Sequence, residues 1–145
     1  MTLYTIGTTK KTAERFFSML RAAGVRRVID VRLHNSSQLA GFSKGEDLPF
    51  FLRTIGAIDY LHEPSLAPSE EMLKKYRADK SGWPQYEKKF RSLLVKRGVE
   101  RTLDRMLFDR ACLLCAEDAP DHCHRRVIAE YLAEHWKGLR IEHLR

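Results

Sequence analysis

A three-layer α/β sandwich is the fold class this sequence predicts: a mainly parallel central sheet of about five strands with helices on both faces. Three observations predict it. Short apolar or β-branched runs recur at Tyr4-Thr5-Ile6, Val28-Ile29-Asp30-Val31 and Cys112-Leu113-Leu114. Between them lie longer stretches whose apolar residues return every third or fourth position, the period of a helix with one packed face. Glycines stand where several of those stretches stop. Strands that alternate with helices imply parallel pairing, and right-handed crossovers then cover both faces.

Leu3 to Ile6 is the first expected strand, ending at Gly7. Thr12 is suited to cap a helix whose packed side is Phe16, Phe17, Leu20 and Ala23, closed by Gly24. Arg27 to Val31 is mostly β-branched and reads as a buried strand. The polar loop LHNSSQLAGFSKGED follows, offering Asn35, Ser36, Ser37 and Gln38 as donors and acceptors suited to a sugar or base. Pro49 to Ile55 is a short helix closed by Gly56, and Ile58 to Leu61 a weaker strand. Ser69 starts a helix through Tyr76. Trp83 to Arg97 and Val99 to Phe108 read as two more, with Gly98 as their break. Ala111 to Ala116 is the fourth strand, Asp121 caps a last helix to Trp136, and Leu139 to Leu144 is a short fifth strand.

The chain of 145 residues is expected to be a single α/β domain over 1–145. Its 43% hydrophobic and 31% charged residues fit a soluble globular protein. No apolar run approaches the ~20 residues of a membrane span, and the N-terminus is too weakly apolar for a signal peptide. A cytoplasmic location without membrane association is the expectation. Three cysteines, an odd number, argue against a disulfide framework. The net charge is +7, and the segment 72–110 alone holds twelve Lys or Arg against five Asp or Glu. Such a basic helical segment either faces nucleic acid or an acidic partner, or is a solvated surface. Tyr76, Trp83, Tyr86 and Phe90 interleave with it and can stack on bases or pack a core.

In parallel sheets ligands bind beyond the carboxyl ends of the strands. That rule gathers Gly7-Thr8-Thr9, Asp30-Val31-Arg32, His62-Glu63 and Cys115-Ala116-Glu117 as candidates for one site. Cys112 and Cys115 resemble half a zinc knuckle, but residues three apart on a strand point to opposite faces. With Asp121 as cap, Cys123 and His124 would lie in the first turn of the last helix, where free N–H groups favour an anion and a thiolate. Helical spacing turns His124 toward the packed face, with Cys123 and Arg125 on its flanks. It is either a catalytic or ligand-binding group or a buried histidine bonded to a carbonyl. Asp30 can orient Arg32 toward an anion, or the two form a structural ion pair. Gly7 and Thr8 lack the spacing of a phosphate-loop fingerprint; Gly7 supplies a tight turn or a close approach. Glu117 can act as a base if partly buried.

Several stretches together resemble the family called domain of unknown function 488. They are Thr5-Ile6-Gly7, Asp30-Val31-Arg32 with Ser36-Ser37, LAGFSKGEDLPFFL, Tyr60-Leu61-His62, Trp83 with Tyr86, and above all Leu114-Cys115-Ala116-Glu117…Pro120…Cys123-His124-Arg125. Members often continue Thr-Ile-Gly with histidine and serine, where this chain has Thr8-Thr9. The resemblance implies an α/β fold and a site containing Gly7, Asp30, Arg32, Cys115, Glu117, Cys123, His124 and Arg125, without assigning roles or a reaction.

The functional expectation is a site for an anionic, phosphate-bearing nucleotide or nucleic-acid ligand at the carboxyl ends of the strands. Gly7, Thr8, Asp30, Arg32 and Arg125 would bind it, and His124, Glu117, Cys115 and Cys123 would supply acid, base or nucleophile. No thiol-phosphatase loop is present, since arginine follows Cys123 after one residue and Cys115 after nine. Two alternatives stand beside it: a non-catalytic nucleic-acid module using the basic 72–110 helices, and a zinc protein using Cys115, Cys123 and His124. No cofactor is expected from the sequence, and the oligomeric state is open.

Overall fold

A computed structural model describes residues 1–36 and 41–145; Ser37 and Gln38 of the polar loop lie outside the described residues. The chain runs β1 (Thr2–Gly7), α1 (Ala13–Ala23), β2 (Arg27–Asp30), α2 (Leu48–Gly56), β3 (Asp59–His62), α3 (Glu70–Ala78), α4 (Trp83–Arg97), α5 (Val99–Thr102), β4 (Ala111–Cys115), α6 (His124–His135) and β5 (Arg140–His143). The five strands form one sheet in the order β3-β2-β4-β1-β5. Every pairing is parallel, with Ile6 opposite Leu114 and Asp30 opposite both Leu114 and His62. The expected α/β sandwich is therefore the observed one.

Strand alternation divides the core into two layers. Ile6, Val28, Cys112 and Leu114 pack against Phe16, Phe17 and Leu20 of α1 and Leu48 and Leu52 of α2. Ile29, Leu113 and Cys115 face the other way, onto Phe90 and Leu94 of α4 and Val127, Ile128 and Leu132 of α6. Cys112 and Cys115 thus lie on opposite faces of β4. Thr12 and Ser69 cap α1 and α3, accepting from the N–H groups of Arg15 and Met72.

Several boundaries differ from expectation. Gly56 is the last residue of α2 and does not close it; Ala57 takes the left-handed C-cap position. β2 and β4 each end one residue early, at Asp30 and Cys115. The helix expected over Val99 to Phe108 stops at Thr102, because Leu103 turns extended and the Asp104 carboxylate caps a separate turn at Met106. The last helix begins at His124 with Cys123, not Asp121, as its N-cap residue. Asp121 instead lies in a turn held by the Cys123 N–H on the Pro120 carbonyl, and its own carbonyl accepts from Arg126 Nε. Cys123 thus precedes the first turn of α6 in extended backbone.

The strand order determines where a site can form. The connection after β2 leads to β3 at one edge, and that after β4 leads across β1 to β5 at the other. Neighbouring strands whose connections diverge leave a crevice beyond their carboxyl ends. Here it opens between β2 and β4.

Candidate functional site

Five of the candidate catalytic and ligand-binding residues converge on that crevice, whose volume is about 130 Å³: Arg32, Cys115, Glu117, Cys123 and His124. Arg32 leaves the end of β2, Cys115 is the last residue of β4, and Cys123 and His124 come back at the start of α6. Arg32 and His124 both line the crevice.

His124 is buried, with 7% of its surface exposed. Its Nε2 lies 2.8 Å from the Val31 carbonyl oxygen. A carbonyl only accepts, so Nε2 carries the proton and donates. Nδ1 is left facing Cys115 Sγ at 3.4 Å. Phe90 meets the imidazole edge to face, with ring centroids 5.5 Å apart. The histidine is thus bonded to a backbone carbonyl through one nitrogen and faces a thiol with the other.

Cys115 and Cys123 are both buried and free. The Cys123 thiol, donating to Cys115, holds the latter's pKa below its ordinary value, against the opposing effect of burial. The charge of Arg125 and the N–H groups of Ala116 and Glu117 act in the same direction. Burial, and then its bond to Cys115, push Cys123 well up. Of the two thiols, Cys115 is therefore the one that gives up its proton first. The ligand-capable atoms of Cys115, Cys123 and His124 all lie within 4.8 Å of one another, the one such metal-competent group among the described residues.

Asp30 is fully buried and accepts from Arg32 Nε and Nη2, each at 2.8 Å, from the Arg32 backbone N–H at 3.1 Å and from the Tyr60 hydroxyl at 2.6 Å. Arg32 Nη2 also donates to the Ser43 carbonyl. Burial works against the guanidinium's charge, but the bidentate carboxylate outweighs it and raises the Arg32 pKa. Asp30 therefore fixes the plane of Arg32 without lining the crevice. His62 Nε2 meets the Arg32 carbonyl at 3.0 Å and so supports the same turn.

Gly7, Thr8 and Arg125 are placed behind the crevice. The Thr8 and Thr9 N–H groups extend the β1–β4 ladder onto the carbonyls of Cys115 and Ala116. Those groups are not free to cradle a phosphate. A Cβ on Gly7 would lie 1.7 Å from the Glu117 carbonyl oxygen, so the glycine exists to let the β4–α6 loop cross it. Arg125 is fully buried, and its Nη1 and Nη2 donate to the carbonyls of Glu117 and Asp118. Its Nε has no partner among the described residues. Glu117 itself is exposed at the mouth, so the partial burial that a general base needs is lacking.

The structure adds residues that the sequence did not single out. Arg77 and Lys80, at the end of α3 and just beyond it, line the crevice with exposed cationic side chains. His122 stacks on Trp83, ring centroids 5.2 Å apart, and both line the crevice. Both cations belong to the basic segment, and nothing in the sequence distinguished them from its other Lys and Arg. Trp83, Tyr86 and Phe90 are buried and packed on one another rather than offered to solvent. Tyr76 and Tyr86 also border a groove of about 550 Å³ between α3 and α4 that adjoins the crevice.

Among the described residues no helix is long and apolar enough to cross a membrane. A family model described as "Domain of unknown function DUF488" matches residues 12–132. No curated protein and no solved structure matches the chain significantly.

Proposed function

We propose that this chain, which belongs to the DUF488 family, binds an anionic, phosphate-bearing ligand of nucleotide type in the crevice between β2 and β4, over a reactive floor of Cys115, Cys123 and His124. One observation carries the reading: three cations, Arg32, Arg77 and Lys80, border the same small crevice whose floor is that cluster. Asp30 and the Ser43 carbonyl engage Nε and both hydrogens of Nη2, so Arg32 would offer an oxyanion its Nη1. The crevice holds a phosphate group, not a nucleotide. The adjoining groove has the volume of an ordinary small-ligand pocket, ~300–1,000 Å³, so the body of the ligand would lie there, against the half-buried Tyr76.

A purely non-catalytic nucleic-acid module is less well supported. Its base-stacking candidates Trp83, Tyr86 and Phe90 serve core packing. A reducing, cytoplasmic setting suits the reading, because its floor depends on free thiols.

The test is thermal unfolding with inorganic phosphate, nucleoside mono-, di- and triphosphates, and short single-stranded RNA. A ligand that binds only the native state raises the midpoint. At least one phosphate-bearing compound should do so, and Lys80→Ala and Arg77→Ala, both exposed, should weaken its binding with the fold intact. If none of these compounds moves the midpoint, the anion site is wrong. A shift that RNA alone produces, and that survives both substitutions, would favour the basic helices instead.

A further inference from the structure

We infer that Cys115, Cys123 and His124 form a zinc site of Cys2His type, with its fourth coordination position open to the crevice beside Arg32. The residues come from two separate elements, the end of β4 and the start of α6, and bring two sulfurs and one nitrogen within 4.8 Å of one another. A tetrahedral ion with ordinary Zn–S and Zn–N bond lengths places sulfur and nitrogen about 3.6 Å apart. Cys115 Sγ and His124 Nδ1 are 3.4 Å apart.

The surroundings match what a ligating histidine needs. Its outer nitrogen donates to the Val31 carbonyl, which fixes the ring and leaves Nδ1 with its lone pair toward the sulfurs. Phe90 closes one flank of the ring. Cys115 and Cys123 are 6% and 2% exposed, and both line the crevice. Two thiolates and an imidazole in a dry setting select a soft divalent ion over magnesium or calcium. Three protein ligands with one side open is the arrangement of catalytic rather than structural zinc. The strand geometry that removes Cys112 from the cluster leaves no third cysteine to serve as the fourth ligand.

The open position faces the residues proposed to bind the anion. A phosphate oxygen, or a water to be activated, would occupy it, with the Arg32 guanidinium alongside. That last point rests on the anion reading; the metal site itself does not.

The experiment is metal analysis of the purified full chain, followed by stripping with a chelator and titration with zinc and with cobalt. One zinc per chain is expected, and cobalt should give the intense near-ultraviolet bands of thiolate-to-cobalt charge transfer. Cys123→Ser and His124→Ala should each weaken zinc binding by at least ~10-fold, while Cys112→Ala, on the far face of β4, should retain it. If the Cys123 and His124 variants do not fold, the cobalt spectrum of the unaltered protein still reports the thiolate ligands. Stripped, folded protein that takes up neither ion overturns the inference. Phosphate is then tested on both forms. Zinc uptake without any phosphate effect leaves the metal site standing and removes the anion reading. A phosphate effect without metal uptake does the reverse and leaves Cys115 as a bare thiol.

Discussion

Replacing Gly7 by alanine is expected to cost about 3–5 kcal/mol and to dismantle the crevice from behind. The new Cβ would stand 1.7 Å from the Glu117 carbonyl oxygen and 2.6 Å from its carbon, so the loop must retreat by about 1.3 Å to reach the 3.0 Å that such atoms respect. That loop is pinned. Thr8 and Thr9 donate to the carbonyls of Cys115 and Ala116 at 3.1 and 3.0 Å, and Arg125 grips those of Glu117 and Asp118. Overpacking costs ~1–3 kcal/mol, and two ladder bonds lost or stretched add ~1 kcal/mol each. For a chain of this length that is a drop in Tm of about 10 °C or more. The assay is thermal unfolding, together with the alkylation rate of Cys115 under native conditions, which should change as the end of β4 moves. Gly41→Ala is the control, because among the described residues nothing lies within 4 Å of a Cβ there; its effect should stay within ~0.5 kcal/mol. A Gly7→Ala protein that melts within about 2 °C of the parent, with unchanged Cys115 reactivity, would refute the close-approach reasoning.

Asp30→Asn leaves the buried Arg32 guanidinium facing a neutral amide, and should destabilise by about 3–5 kcal/mol in urea titrations; a loss below about 1 kcal/mol would mean that the pair is solvated. Arg125→Lys keeps the charge but cannot reach both loop carbonyls, so a loss of about 2–3 kcal/mol is expected; an unchanged urea midpoint would show that Arg125 does not hold the loop. His143 sets a pH dependence. Burial, first, and then the charge of Arg125 with that of Arg126 lower its pKa, against Glu130 and Asp121, while Nδ1 bonds the Thr5 hydroxyl at 2.7 Å. As pH falls, the unfolded chain takes up this proton first, so stability is full above the ordinary value of ~6.5 and declines as pH falls through it, levelling off below the folded-state value. The urea midpoint should therefore fall as pH drops below about 7, and His143→Asn should flatten that limb; parallel limbs in the two proteins would remove His143 as its cause.

Much of the site was legible in residue order. Asp30 and Arg32, two apart at a strand end, share a face by geometry, and they do pair. His124 points inward because Val127, Ile128, Tyr131 and Leu132 set the packed side of its helix. The separation of Cys112 from Cys115 follows from the two-residue repeat of a strand. The helix start at Asp121 was misplaced, because an acidic residue before an apolar periodic run carries the same signal as a cap. The turn that instead makes Cys123 the cap residue closes on the Pro120 carbonyl, a backbone contact with no side-chain signature. Val99 to Phe108 kept a helical pattern, but Asp104 stops it by capping its own short turn. Arg77 and Lys80 were invisible, being two cations among twelve.

What the sequence by itself determined is the local part: which segments are strands and helices, which side of each is apolar, and that the polar and thiol residues fall at strand ends. Those follow from periodicity and from chemistry within a few residues. Only the tertiary structure decided the strand order, and with it that β2 and β4 are neighbours whose connections diverge. Pairing between strands far apart in sequence depends on the whole core closing at once. It alone brings Val31, Cys115 and His124 into contact, sets Arg32 beside them, and turns Gly7, Thr8, Asp30 and Arg125 into the supports on which those residues rest.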